Sequence, residues 1–403
     1  MHATPHPLDQ MALGKIVQVR ERLFHAESQG LPVYRLESGD PSFSPPPHVA
    51  EALAEAARAG KTHYIPNNGI PQLRAALAEK VRSKNGIPGV KAADIFVTNG
   101  AMHALNVLFA ALLLPGDEVV VPDPMWAEAL DNIRLAGGVP VPIPLSGEDG
   151  FAYSPKAIEA ALTPSTVAIF LNTPHNPTGA VQPEERLAGI VEVARKRNLW
   201  IISDEAYEDV VYEPARHVSL ASLAPDYGER IVSVFSFSKS HAMPGLRTGY
   251  VVARAPILHD RLPKLLRCTI NGVNSVTQWA ALAAVTGNQS HVEMMREEYQ
   301  RRRDLLLESL EGIEGVRVFP PQGTFFLWVE LEPSVYQRLG VSGADEVSAL
   351  LAAQGVGSVP GDGFGNVGQN ALRLAFSCST EMVREGGRLI REILSAGTHE
   401  PTR

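Results

Sequence analysis

Between residues 94 and 253 the chain alternates short apolar runs with amphipathic stretches, a rhythm that few folds accept. Runs at 94–98, 118–122, 139–143, 167–172, 199–203, 231–237 and 249–253 are dominated by Val, Ile, Leu, Ala and Phe. Their continuity predicts strands buried on both faces. Helical stretches separate most of them. The stretch 101–114 carries Leu105, Leu108, Phe109 and Leu112 on one face, and 183–197 is a second amphipathic connector. Strand and helix in alternation over so long a span predict an α/β fold with a large, doubly wound, mostly parallel mixed sheet covered on both sides by helices.

The pattern changes after Arg254. Helices are expected at 257–266, 275–286 and 289–311, then short strands at 316–319, 325–329 and 371–376 with helices near 343–354 and 382–395, together a smaller α+β domain. Ahead of the alternating region lie a disordered or crossing arm (1–8) and a helix (11–26) on which Ile16, Val19 and Leu23 recur at helical spacing. The proline-rich loop LESGDPSFSPPP comes next, and then helices at 48–59 and 71–83, the second with Pro71 in its first turn. Three segments result: 1–45, an arm and part of the small domain; 46–288, the large domain; and 289–403, the small C-terminal domain. A chain of 403 residues exceeds what one core sustains, in keeping with that division.

Composition excludes several function classes. The chain is 45% apolar and 20% charged with a net charge of −8, and its densest basic run, Arg301 to Arg303, sits in a charge-mixed helix where a solvated face is expected. A nucleic-acid partner is therefore not expected. Cys268 and Cys378 form no CxxC pair, which suggests neither a disulfide framework nor a zinc site and fits a reducing compartment. No signal-peptide pattern opens the chain, and no apolar run nears the roughly 18 residues of a membrane span, so a cytoplasmic protein is expected. His103, His175 and His241 lack metal-ligand spacing and read as local hydrogen-bonding groups; no metal is expected.

In a parallel sheet, ligands bind beyond the carboxyl ends of the strands, and chemistry collects at those ends here. The run 231–237 gives way to Ser238 and Lys239 in what reads as a loop, with Arg247 after a Pro-Gly break. An amine at the edge of a core sheds solvation and titrates nearer neutrality, as a Schiff-base amine must. Ser236, Ser238 and Arg247 offer the donors that recognise a phosphate dianion. A phosphorylated aldehyde cofactor accounts for all four. The run 94–98 leads to Gly100, Ala101 and Met102 at a helix start, where free N–H groups favour an anion. Trp126 comes after 118–122 and suits stacking on a flat ring. Asn176 comes after 167–172 as a fixed amide, and Asp204 and Tyr207 come after 199–203; a carboxylate beside a ring nitrogen keeps it protonated. Taken singly, Trp126 reads as a core aromatic, Asp204 as a helix cap, Asn176 as a turn residue and Tyr207 as filler. Their succession points to one site.

NPTG at 176–179, SDEAY at 203–207 and SFSKSHAMPGLRTGY at 236–250 resemble the fold-type I, pyridoxal-phosphate-dependent aminotransferases of class I/II, and the resemblance runs from about Gly39 to Phe376. It implies that Lys239 carries the cofactor imine and then shuttles the substrate proton. It further implies that Asp204 pairs the pyridine nitrogen, Tyr207 and Asn176 bind the ring hydroxyl, and Trp126 stacks on the ring. Gly100, Ala101, Met102, Ser236, Ser238 and Arg247 would bind the phosphate, and Tyr64 would reach across from a second subunit of a homodimer. Arg373, in ALRLAFS, matches the arginine that grips the substrate carboxylate, with Gly39 and Asn176 nearby. The implied reaction is transfer of an amino group from an L-amino acid to a 2-oxo acid in two half-reactions.

There are departures from the family pattern. Met102 stands where some dicarboxylate-selective relatives carry lysine, Pro244 replaces a residue that is often threonine, and Met125 precedes the tryptophan where tyrosine is frequent. Phe24, Met102, Met125 and Phe325 would suit an apolar substrate side chain, and Arg267 is a candidate distal cation for an acidic one. The same machinery also serves β-elimination, racemisation or decarboxylation, a C–S lyase among them. A non-catalytic ligand sensor of the same fold is a further alternative, disfavoured because no helix-turn-helix region precedes the sheet. Residues 363–368 spell GxGxxG but precede a strand instead of opening a helix, so they read as a flexible loop over the site, not a dinucleotide motif.

Overall fold

A computed structural model describes residues 7–11 and 14–396. The arm expected over 1–8 lies almost wholly outside them; its last two residues open a 3-10 turn, Pro7–Gln10. Seven strands form the large sheet: β1 (Ile95–Thr98), β2 (Glu118–Asp123), β3 (Val139–Pro144), β4 (Thr166–Asn172), β5 (Trp200–Asp204), β6 (Ile231–Ser236) and β7 (Gly249–Val252). Their order is β1-β7-β6-β5-β4-β2-β3. From β3 through β6 every pairing is parallel, whereas β7 runs antiparallel between β6 and β1. The reversal has a local cause. Between β6 and β7 the chain holds a one-turn helix, Phe237–Ser240, and a 3-10 turn, Pro244–Leu246, with no helix long enough to cross back over the sheet.

Period-2 alternation sends successive side chains into two separate cores. Val120, Ile169, Leu171, Ile201, Phe235 and Tyr250 face one layer, which packs on helices Pro71–Ser83, Glu184–Arg197 and Ser275–Thr286. Val119, Val121, Phe170, Ile202, Val234 and Val251 face the other, on helices Gly100–Leu112, Ala127–Leu135 and Pro256–Thr269. Burial on both faces is why the runs read as continuously apolar. Among the described residues no helix is long and apolar enough to cross a membrane.

The second sheet is antiparallel, with β8 (Val316–Phe319), β9 (Phe326–Leu331), β10 (Val359–Pro360) and β11 (Ala371–Ala375) in the order β10-β11-β9-β8. Leu306 and Leu310 of helix Ser290–Leu310 and Val383, Ile390 and Leu394 of helix Thr380–Ser395 cover it, and Leu36 joins the same core. The amino-terminal helix Lys15–Ser28 packs Val19 and Leu23 against Ala352.

Three features differ from the sequence reading. Lys239 lies in the one-turn helix, not a loop, because the Ser236 hydroxyl accepts the Ser238 N–H at 3.1 Å and caps it. Helices of only two or so turns, too short to repeat an amphipathic pattern more than about twice, such as Ala127–Leu135, Pro155–Ala161 and Pro333–Leu339, went unforeseen. Of the three adjacent arginines only Arg301 is solvated. Arg302 is 5% exposed, donates to the Ser42 hydroxyl (2.9 Å) and the Ser377 carbonyl (3.2 Å), and lies over the Phe43 ring. Arg303 lies over Tyr212 and donates to the Pro321 carbonyl. Arg302 therefore ties the loop at Ser42 to the end of β11. Arg302→Ala should lower unfolding stability by about 3 kcal/mol, since buried acceptors lose a charged donor. Arg301→Ala should stay within about 0.5 kcal/mol. Denaturant titration of both variants checks this, and equal losses would contradict it.

Candidate active site

The carboxyl ends of β2, β4, β5 and β6 open on one cavity of about 250 Å³, lined also by Arg373 from the smaller sheet. Asn172 and Asp204 end neighbouring strands in register. The Asn172 side chain donates to the Asp204 carbonyl (3.1 Å) and accepts the Asn176 N–H (2.8 Å), which fixes the turn after β4 to the tip of β5. Asp204 is 3% exposed. Its carboxylate accepts only the Ala206 N–H, at 3.1 Å, among the described residues. Burial raises its pKa to about 7 despite that hydrogen bond, and the neighbouring Glu205 charge adds to the rise.

Lys239 is part-buried, and its ammonium donates to the Gly39 carbonyl at 2.7 Å. Desolvation lowers its pKa to about 8; the Asp40 charge opposes the shift while Arg373 and Arg247 reinforce it. Tyr207 packs edge-on against Phe325 and Phe326, and burial pushes its hydroxyl pKa up. Trp126 immediately precedes helix Ala127–Leu135 and lines the cavity.

Arg373 lies on β11 opposite Trp328, over the rings of Phe326 (4.1 Å) and Phe364 (4.8 Å). One end of its guanidinium donates to Asn176 Oδ1 (3.1 Å) and the other to the Glu37 carbonyl (3.0 Å), while Nε is buried without a partner. Burial pulls its pKa down to about 10. The arginine is thus desolvated, held flat and incompletely satisfied, a geometry suited to a planar carboxylate.

At the other end, the first turn of helix Gly100–Leu112 meets Ser236, Ser238 and Arg247. Gly100 has φ +80°, and a Cβ there would stand 2.6 Å from Arg247 Nη2. Glycine at 100 is what lets the guanidinium lie against the helix start. Arg247 has φ +50° and donates to the Pro244 carbonyl at 2.8 Å. Backbone N–H groups, two hydroxyls and a guanidinium converge here, the chemistry of an anion cup.

A family model described as aminotransferase class I and II matches residues 32–389. The chain belongs to this family of aminotransferases. It is 37% identical to the aspartate/prephenate aminotransferase of Thermus thermophilus over 92% of this chain and 93% of the relative. Among solved structures it is similar to the Thermus thermophilus aspartate aminotransferase with maleate (TM-score 0.90, 34% identity, 98% of this chain, 100% of the other). It is also similar to the aromatic aminotransferase of Pyrococcus horikoshii (TM-score 0.85, 33% identity, 92% and 98%). The enzyme is a transaminase with the α/β architecture of fold type I.

Not every expected residue reaches the cavity of this aminotransferase. Tyr64 is 90% exposed and lies in a separate cleft with residues 270–276. Of the four residues expected to seat an apolar substrate, only Met102 lines the site; Phe24 is on the surface, and Met125 and Phe325 are enclosed in the cores. Arg267 is exposed on helix Pro256–Thr269, away from the cavity. The 363–368 segment is not a loose loop. Asp123 accepts the N–H groups of Asn366 (3.1 Å) and Val367 (3.3 Å), and a Cβ on Gly365 would stand 2.1 Å from that carboxylate. His103, His175 and His241 hydrogen-bond to Thr269, Thr178 and His291. Unforeseen lining residues are Ile16, Asn172, Ala206, Pro244 and Phe326. Asn172 was within reach of strand-end reasoning, since it closes β4; Ile16 and Phe326 arrive by tertiary packing from distant segments.

Asp204 yields a prediction with a definite sign. Its folded pKa, about 7, lies above the unfolded value, so the cofactor-free protein loses stability as pH rises from about 4 towards 7. Asp204→Asn removes that loss. In urea titrations of the cofactor-free enzyme, the variant should gain on wild type across this range, by on the order of 4 kcal/mol at pH 8; a pH-independent difference would contradict the assignment.

Proposed function

We propose that the aminotransferase works with pyridoxal 5'-phosphate. The observation that carries this reading is the shared cavity of a lysine amine with a depressed pKa, a buried carboxylate that forms no ion pair among the described residues, and an anion cup. The donor set fits the cofactor group by group. Gly100, Ala101, Met102, Ser236, Ser238 and Arg247 would hold the phosphate, Asp204 the ring nitrogen, Tyr207 and Asn176 the ring hydroxyl, Trp126 the ring face and Lys239 the aldehyde. Asn176 meets Arg373 through Oδ1, which leaves its Nδ2 as the donor for that hydroxyl. When bound, the cofactor supplies an electron sink for the charge left at the substrate α-carbon.

The chain's own residues do the rest. Arg373 binds the substrate carboxylate through its fork, beside Gly39 and Asn176. Its Nε is already without a partner, so a carboxylate relieves a buried unsatisfied donor. Lys239, at a pKa of about 8, has an appreciable neutral fraction near pH 7, takes the α-proton as base and would pass it to the aldehyde carbon of the cofactor, the opposite half-reaction running the same transfer backwards. Asp204, buried with no ion-pair partner of its own among the described residues, would stabilise a proton on the ring nitrogen through its carboxylate charge. Trp126, Phe326 and Ile16 limit water around the reacting atoms.

This reading takes the chain as a homodimer in which Tyr64, exposed here, reaches the partner's phosphate site. It divides the chain into 1–45, 46–288 and 289–403, with the active site between the large and small domains, and places the enzyme in the cytoplasm. Lys239→Ala should lower transamination by at least about a thousandfold. The variant should still retain pyridoxal phosphate in equilibrium dialysis. Turnover within tenfold of wild type, on the order of one unit of log rate, would refute the role of Lys239.

A further inference from the structure

Among the residues lining the cavity, the cations are Lys239, Arg247 and Arg373. On the pyridoxal-phosphate reading, each is committed: Lys239 to the aldehyde and the α-proton, Arg247 to the phosphate and Arg373 to the α-carboxylate. A substrate with a second carboxylate would therefore bring a negative charge with no cation to meet it. It would also face acids, because Asp204 is in the wall and Glu128 is near enough to interact electrostatically with Arg373.

Cations just outside the cavity do not supply the missing charge. Lys15, next to Ile16, is paired with Asp345 and Asp362 at 3.0 Å each. Arg20, whose charge reaches Arg373 as that of Glu128 does, and Arg35 open on a different groove of about 480 Å³ that also holds Glu37 and Asp40. The surface a second copy would bring with Tyr64, a cleft of about 530 Å³ between residues 62–65 and 270–276, has no lysine or arginine in its lining. What remains uncommitted in the wall is apolar: Ile16, Phe326 and the side chain of Met102, whose share in the phosphate site falls to its backbone N–H.

We infer that the amino donor carries an uncharged, apolar side chain seated against Ile16, Met102 and Phe326, and that acidic amino acids are poor donors. The inference rests on the pyridoxal-phosphate reading above and departs from the donor for which the Thermus relative is named. An apolar wall gives a methylene-rich side chain its binding energy by area, while an unpaired carboxylate there loses hydration without compensation.

The test uses the enzyme loaded with pyridoxal phosphate. Leucine, methionine, phenylalanine, aspartate and glutamate are mixed with it one at a time, and the first half-reaction is followed by cofactor absorbance. In parallel, calorimetry compares non-reacting 4-methylpentanoate and 3-phenylpropionate with succinate and maleate. The best apolar donor should exceed both acidic donors by more than about tenfold in second-order rate, and the monocarboxylates should bind more tightly than the dicarboxylates. An acidic donor within that factor, or a dicarboxylate binding at least as tightly, overturns the substrate class and leaves the aminotransferase intact. Absence of any absorbance change with all five overturns the assignment of the cavity's groups to pyridoxal phosphate, and the inference with it.

Discussion

Three ionisable groups of opposing sign are withheld from water at one place without ion pairs to settle them, and much of the structure serves to keep them there. Among the described residues, Asp204, Lys239 and Arg373 form no salt bridge within 4 Å. Each is answered instead by backbone or amide groups: the Ala206 N–H, the Gly39 carbonyl, and Asn176 with the Glu37 carbonyl. Neutral partners do not restore what hydration supplied, so all three pKa values move toward the neutral form, to about 7, 8 and 10. The same tension makes the site reactive, because a lysine that titrates near neutrality can act as base and an unsatisfied arginine can grip a carboxylate.

Such a site needs rigid supports, and the large sheet provides them. Asp204 and Lys239 stand at the ends of β5 and β6, adjacent strands in continuous parallel register whose side chains are buried on both faces. Asn172 links the tip of β4 to that of β5, so the turn bearing Asn176 cannot shift independently. Arg373 comes from the other sheet, and its ring contacts with Phe326 and Phe364 set it facing the strand ends. Asp123 in turn pins the segment after Phe364 through Asn366 and Val367. The cavity is therefore closed by two sheets with separate cores, each placing groups the other lacks.

Much of this was legible in the residues alone, for a physical reason. Strands buried on both faces must be continuously apolar, so all seven strands of the large sheet stood out within a residue or two. Gly100, Trp126, Asn176, Asp204 and Lys239 were then found at the carboxyl ends of those strands. The reversal of β7 and the capped turn that holds Lys239 depend on a short connection and a serine hydroxyl, which periodicity does not report. Long-range partners were hidden more thoroughly. The glycine-rich 363–368 segment looked loose because its anchor, Asp123, lies 243 positions away. Arg302 looked solvated because its partners at Ser42 and Ser377 are likewise remote. Phe325 was assigned to the site by residue type, yet its neighbour Phe326 turns into the cavity, the one-residue difference that strand alternation makes decisive.

The desolvated amine at 239 is the property on which the chemistry turns. The pH dependence of acylation of Lys239 in the cofactor-free enzyme, read from the peptide that carries it by mass spectrometry, measures that property directly. A midpoint near pH 8 is predicted. A midpoint at the ordinary lysine value of 10.5 would show that the amine keeps its water and that the cavity does not perturb it as described.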